Sequence, residues 1–288
     1  LPCRKPRRLD ERSLTMSTFS VPTLADMTAQ GQTPEVLFWV GCAGSFDDRA
    51  KRITKAIARI LHHCEVPFAV LGAEESCTGD PAKRAGNEFL FQMQAAQNIA
   101  VLNGYEVKRI VTGCPHCFNV LKNEYPELGG DYEVMHHTQF IRDLIDQGRL
   151  KVADGNPFKG RRITFHDPCY LGRGNGEYAA PREVLSTLDA ELVEMRRCKQ
   201  NGLCCGAGGG QMFKEAEKGN REVNHERTDD VLDANPQVVA TGCPFCNTMM
   251  TDGVKNAERE SSIDVKDIAE LIAEAADLVP SSTSQDTP

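Results

Sequence analysis

The sequence predicts an α/β fold of two tandem Rossmann-like units, related by a pseudo-twofold, with mostly parallel sheets and cysteines at the C-terminal strand ends. Three observations predict it. Short apolar runs alternate with stretches of helical periodicity, the pattern of right-handed strand–helix–strand crossovers. Cysteines recur just past the apolar runs, where the binding crevice of a parallel sheet opens. Four cysteines of the N-terminal half also recur in the C-terminal half at a nearly constant shift. Cys42 and Cys169 are 127 positions apart, Cys77 and Cys205 128, Cys114 and Cys243 129, and Cys117 and Cys246 129.

Residues 1–33 are polar, basic at first (Arg4, Lys5, Arg7, Arg8) and without sustained periodicity, so they are read as a flexible leader outside the fold, in which Met16 is a candidate true start. Val36-Leu37-Phe38-Trp39-Val40 reads as a buried strand that delivers Gly41-Cys42. Residues 47–63 carry Ile53, Ile57, Ile60 and Leu61 at helical spacing. Residues 68–71 form the next apolar run and lead into Glu74-Glu75-Ser76-Cys77-Thr78-Gly79-Asp80, with a helix expected over 87–103. Residues 109–112 lead into Cys114-Pro115-His116-Cys117, and residues 132–135 into His136-His137.

The polar stretch 148–160, with Gly155 and Pro157, has the composition of a linker. It divides the chain into a first cysteine-rich domain over 34–155 and a second over 156–280, with 281–288 as a disordered tail. In the second domain, residues 162–165 lead into His166-Asp167-Pro168-Cys169, residues 191–195 precede Cys204-Cys205, and residues 238–240 precede Thr241-Gly242-Cys243. Helices are expected over 182–188, 213–233 and 264–276. Local wording repeats too: Thr112-Gly113-Cys114-Pro115-His116-Cys117 matches Thr241-Gly242-Cys243-Pro244-Phe245-Cys246.

A chain of 288 residues with 40% hydrophobic residues can bury a sizeable core. A net charge of −8 gives no basic surface for phosphates, which excludes nucleic acid as a partner. Twelve cysteines are too sparse for a disulfide-dense mini-domain and, in Cys-Pro-x-Cys turns, point to reduced thiolates in the cytoplasm. There is no apolar run long enough to span a bilayer and no secretory leader, so membrane contact is expected only through a partner.

The most informative stretch is Asn201-Gly202-Leu203-Cys204-Cys205-Gly206-Ala207-Gly208-Gly209-Gly210. Neighbouring thiolates point different ways, so one tetrahedral ion rarely uses both, whereas a cluster of several irons can. The glycines let backbone N–H groups turn towards anionic sulfur. Cys169, Cys243 and Cys246 complete a five-cysteine set. In the first half Ser76 stands in register with Cys204, leaving Cys42, Cys77, Cys114 and Cys117. Four thiolates suffice for a cubane [4Fe-4S] cluster or for zinc, and a vestigial empty site is the third reading. Buried structural thiols would have no reason to repeat in register. Cys64 and Cys198 fall outside the repeat and are read as core or surface thiols, with Cys3 in the tail.

With these residues in place, the chain over about 35–278 resembles the CCG, or cysteine-rich, domain family that includes the B-type subunit of heterodisulfide reductase. It is similar also to the iron–sulfur subunits of glycolate and lactate oxidation, anaerobic glycerol-3-phosphate dehydrogenase and flavoprotein–menaquinone oxidoreductase systems. The resemblance implies that Cys169, Cys204, Cys205, Cys243 and Cys246 ligate a non-cubane [4Fe-4S] assembly, and that the first site holds [4Fe-4S] or zinc. It implies an electron-transfer subunit, not catalytic alone, between a flavoprotein, dehydrogenase or ferredoxin-type subunit and a quinone- or thiol-linked acceptor. Such a protein sits at the inner membrane face through a partner, a membrane cytochrome subunit among the candidates. The wording around Cys77 is closer to the flavoprotein-oxidising branch than to the heterodisulfide reductases. Ferredoxin-type cysteine runs and a cytochrome segment are expected on separate subunits.

The alternatives are a heterodisulfide-type reductase that binds substrate sulfur at the second cluster and a zinc-stabilised scaffold without a redox role. No G-x-G-x-x-G follows a strand, so a flavin or nicotinamide site is unsupported. No residue is assigned as catalytic. His166, beside Asp167, is expected to donate to a cluster sulfur, to relay protons or simply to cap a turn. His116 is read as orienting its loop, His136 and His137 as rim or substrate-side residues, and Glu74, Glu75 and Asp80 as a solvated acidic loop.

Overall fold

The computed structural model describes residues 20–208, 210–215 and 218–279, so Cys3, Met16 and the tail 281–288 lie outside the described residues. The first half runs α1 (Leu24–Ala29), β1 (Val36–Trp39), α2 (Gly41–Phe46), α3 (Asp48–His63), β2 (Phe68–Ala69), α4 (Asp80–Arg84), α5 (Glu88–Gly104), β3 (Arg109–Thr112), α6 (Pro115–Asn119), β4 (Glu133–His136) and α7 (His137–Asp146). The second runs β5 (Arg162–Phe165), α8 (Gly172–Asn175), α9 (Ala179–Ser186), β6 (Glu191–Leu192), α10 (Val223–Ala234), β7 (Val238–Thr241), α11 (Pro244–Asn256), β8 (Asp264–Asp267) and α12 (Ile268–Ala275).

Among the described residues these strands make two four-stranded parallel sheets of matching order, β2-β1-β3-β4 and β6-β5-β7-β8. Register repeats as well: Leu37 pairs with Ile110 as Thr164 pairs with Val239. Strands β1 and β7 are buried along their whole length, which is why they read as unbroken apolar runs. Helix α3 starts where the Asp47 carboxylate accepts the Ala50 N–H at 2.7 Å, and it buries Ile53, Ile57, Ile60 and Leu61 on one face.

The pseudo-twofold shows in how the halves meet. Helix α3, which follows the first strand region of its half, packs on α12, which follows the last strand of the other; α9 and α7 make the reciprocal contact. One core therefore runs through both halves, with Phe38, Ile53 and Phe140 from the first and Phe165, Val184 and Ile272 from the second. Arg49 on α3 clamps Glu270 on α12 with two hydrogen bonds of 2.8 Å. The connection between the halves is irregular but packed: Leu150 and Phe158 are buried in this shared core.

Several expectations from sequence are corrected. Part of the stretch read as a leader is structured, since α1 buries Leu24 and Met27 and Thr23 bridges to Val70. Residues 264–276 are not one helix. Their first four form edge strand β8, and α12 begins only at Ile268, where Asp267 and Glu270 make a capping box. The helix expected from 213 starts at Val223, because the glycine-rich loop carries on through a 3₁₀ turn at Gln211–Phe213. Strands β2 and β6 are two residues long, shorter than the stretches 68–71 and 191–195.

Candidate metal centres

The first cysteine set gathers at the carboxyl edge of β1 and β3. Cys42 sits on α2, Cys77 beyond the turn after β2, Cys114 at the N-cap of α6 and Cys117 within α6. Cys42 and Cys77 lie close enough to shift each other's ionisation, as do Cys114 and Cys117, and the two pairs feel each other's charge. Cys77 is pulled down to about 7 by the Cys42 thiol and the Gly79 N–H, while its neighbour Cys42 is driven up. Gly79 N–H points at Cys77 Sγ at 3.5 Å, and the Thr78 hydroxyl lies 3.9 Å from Cys117 Sγ. Gly41 adopts φ +77°, and a Cβ there would stand 3.3 Å from Cys117 Sγ, so only glycine leaves the sulfur its place.

Ser76 does not add a fifth donor here. Its hydroxyl is hydrogen-bonded to Asn98 Oδ1 at 2.9 Å, and the Asn98 amide donates to Cys77 O and Tyr125 Oη, both at 3.0 Å.

The second set follows the same plan with one more sulfur. Cys169 lies beyond β5, Cys204 and Cys205 in the loop after β6, and Cys243 and Cys246 at the start of α11. Contacts run from Cys169 to Cys204, on to Cys205, then Cys246 and Cys243. Cys205 Sγ and Cys246 Sγ are 3.3 Å apart, well beyond the ~2.05 Å of a disulfide. Gly206, at φ +95°, turns its N–H onto Cys204 Sγ at 3.3 Å. The thiols of Cys169 and Cys205, with that N–H, hold Cys204 far below the ordinary thiol range; Cys205 is pushed up to about 12, first by its bond to Cys204. Each set is thus a group of close, largely buried free thiols lined by N–H donors, a donor chemistry that fits thiophilic iron or zinc.

The two sets adjoin. Cys114 and Cys243 are close enough to shift each other's ionisation, so the first set lies beside the second. Around this junction, His116 stacks on Tyr170 with ring centroids 4.4 Å apart and meets Phe245 edge-on at 5.2 Å.

Other singled-out residues fall differently from expectation. His136 and His137 are fully buried and do not line the rim; His136 donates from Nε2 to Gly242 O at 3.0 Å, and His137 faces Asp267 at 3.0 Å. Of the acidic loop only Glu74 is exposed. Glu75 accepts the Val40 and Gly41 N–H groups at 3.0 and 2.6 Å, and burial pushes it up to about 7. Asp80 is buried against His116 Nδ1 at 2.8 Å and Arg84 at 3.0 Å. Asp167 turns away from the sulfurs to Arg182. Cys64 lies in the shared core, and Cys198 is half-buried beside Glu194.

His166 does join the second site: a ring nitrogen of His166 and the sulfurs of Cys205 and Cys246 all lie within 4.8 Å of one another. Sequence reasoning missed what stands behind it. Arg227, fully buried, donates from Nε to His166 Nδ1 at 3.0 Å and from Nη1 to Asp230 at 3.0 Å. Asn224, Arg227 and Thr228 fall with Val231 at the spacing of one helix face, and the structure turns that mostly polar face inward.

Fold and rim together define a duplicated α/β protein with a cysteine cluster in each half. The chain belongs to the cysteine-rich domain family, CCG, whose profile matches it twice, over residues 36–122 and 163–251. It is 46% identical over 256 residues to the probable iron-sulfur-binding oxidoreductase FadF of Bacillus subtilis, covering 88% of this chain and 36% of that protein. It is 44% identical over 273 residues to the EtfAB:quinone oxidoreductase of Syntrophomonas wolfei, covering 93% and 37%. Identity to the D-type subunit of the dihydromethanophenazine:CoB–CoM heterodisulfide reductase of Methanosarcina barkeri is 35% over 251 residues, covering 85% and 59%. The chain therefore spans about a third of the length of the first two relatives.

Proposed function

We propose that this chain is the iron–sulfur electron-transfer portion of an oxidoreductase, passing electrons between a flavoprotein or dehydrogenase partner and a quinone- or thiol-linked acceptor. The observation that carries the proposal is the gathering of four free thiols in one half and five in the other at the carboxyl edges of two matching parallel sheets, with Cys205 Sγ and Cys246 Sγ 3.3 Å apart. Cys169, Cys204, Cys205, Cys243 and Cys246 would hold a non-cubane [4Fe-4S] assembly; Cys42, Cys77, Cys114 and Cys117 would hold a cubane [4Fe-4S] cluster or zinc. Such clusters, when bound, take up and release electrons at potentials set by their surroundings.

The chain's own contribution is the field around those sulfurs. N–H groups two residues past Cys77, Cys204 and Cys205, those of Gly79, Gly206 and Ala207, stabilise charge on sulfur. Burial of Cys114, Cys117, Cys205, Cys243 and Cys246 keeps water away. Higher identity to relatives named for a flavoprotein–quinone or iron–sulfur oxidoreductase than to the heterodisulfide reductase relative favours the flavoprotein-oxidising branch. Among the described residues no helix is long and apolar enough to cross a membrane, so a lipid-soluble acceptor would be met through a partner or through further chain.

Anaerobic purification with separate counts of iron, acid-labile sulfide and zinc tests the proposal. Iron and sulfide in matching amounts, with a reducible EPR signal, are expected; stoichiometric zinc without sulfide would overturn it.

A further inference from the structure

We propose that His166 is a hydrogen-bond donor to the sulfurs of the second site and not a metal ligand, and that Arg227 is the positioning residue that makes it so. The proposal rests on the reading of that site as an iron–sulfur centre. By distance alone His166 could be a ligand, since its ring lies among Cys205 and Cys246 and is buried. The tautomer decides otherwise.

A guanidinium has only donors to offer. Arg227 Nε–H points at His166 Nδ1 at 3.0 Å, so Nδ1 must present its lone pair. A neutral imidazole then carries its single proton on Nε2, the nitrogen left for the sulfurs. With a proton on that nitrogen there is no lone pair for iron, but there is an N–H to share with thiolate or sulfide.

Arg227 is itself immobilised. Its Nη1 reaches Arg197 O at 2.6 Å and Asp230 Oδ2 at 3.0 Å. The fully buried Asp230 carboxylate is held in turn by Arg196 at 2.6 Å and by Arg197 at 2.7 Å. The chain Asp230, Arg227, His166 thus fixes one ring orientation and one tautomer, the part an outer carboxylate or carbonyl often plays for a metal-bound histidine, here with its polarity inverted. A donor to cluster sulfur stabilises the more negatively charged, reduced state and so raises the potential.

The test uses the anaerobically purified chain with its cluster, EPR-monitored redox titration, and pulsed EPR with 15N-labelled histidine. In the unsubstituted protein a weak nitrogen coupling, transmitted through a hydrogen bond, is expected; a strong coupling typical of an iron–nitrogen bond would overturn the proposal without any variant. His166→Leu should keep its iron and sulfide, lose that coupling, and shift the reduced-to-oxidised ratio at a fixed potential about tenfold towards oxidised, about 59 mV for one electron. His166→Gln, which retains an N–H donor, should recover much of that shift. Loss of iron from the second site in His166→Leu, or an intact cluster at unchanged potential, would count against the donor role. Unsubstituted protein that contains no acid-labile sulfide would instead remove the iron–sulfur reading, and with it the donor role.

Discussion

Cys114 lies against Cys243, the residue in the same position of the other half's Cys-Pro-x-Cys turn and 129 places along the chain. Each caps a helix, α6 or α11, and His136 sits between the turns, with Gly242 O at 3.0 Å from Nε2 and the Gly113 backbone within hydrogen-bonding reach.

That contact predicts that the sites are not independent. Cys243→Ser should alter the EPR signals of both sites, whereas Cys205→Ser, away from the junction, should alter the second alone. Spectra in which Cys243→Ser leaves the first site untouched would show that adjacency carries no coupling.

Asn98 is predicted to matter more to the first site than Ser76. Asn98 is buried and ties Ser76, Cys77 O and Tyr125 together, while the Ser76 hydroxyl contributes one bond to it. Ser76→Ala should leave the metal content of the first site unchanged. Asn98→Ala strands the Cys77 carbonyl and should cost about 1–3 kcal/mol of stability. Chemical denaturation and metal analysis of the two variants separate these outcomes.

What the sequence made legible was whatever repeats or is uniformly apolar. Strands β1 and β7 are buried along their length and almost wholly apolar, and eight cysteines, four from each copy, keep their register. Strand β8 was illegible because Asp264, Val265, Lys266 and Asp267 form an edge strand with a solvent side, and the apolar residues of α12 drew the helical reading forward over it. The Arg227–His166 contact was hidden for a related reason. A charged residue inside a polar helix reads as solvated, and only the fold shows that a partner 61 residues away accepts its N–H. Ser76 was found by register, but its bond to Asn98 depends on how α5 packs.

Histidine burial predicts a measurable acid sensitivity. Desolvation first, then the neighbouring His137, hold His136 well below the ordinary histidine range. The folded protein therefore keeps His136 neutral, while the unfolded chain takes up a proton below about pH 6.5. Stability from this group is present above that pH and lost as pH falls, at about 1.4 kcal/mol per pH unit. Glu75 runs the other way. Raised to about 7, it contributes stability below its unfolded value of 4.5 that is lost as pH rises towards 7. That contribution is common to any pair of proteins differing only at position 136, so it cancels. Denaturation of wild type and His136→Gln between pH 5 and 7.5 should give curves whose slopes differ by about one proton below pH 6.5; parallel curves would place a charged imidazole inside the fold.

The shared core predicts that the halves unfold together. Trp39, the single tryptophan, is fully buried in the first half, whereas Ile272 lies on α12 of the second and faces the core that α3 closes from the other side. Ile272→Ala removes buried methyl and methylene groups and should destabilise by about 2–5 kcal/mol. If the core is one cooperative unit, Trp39 fluorescence must report that loss in full, with a midpoint shifted as far as the one seen by circular dichroism. A second half expressed alone would present Phe165, Val184, Ile268 and Ile272 to water and should not fold. A Trp39 transition unmoved by Ile272→Ala would mean that the contacts between α3 and α12, the Arg49–Glu270 clamp included, join two units that are each stable without the other.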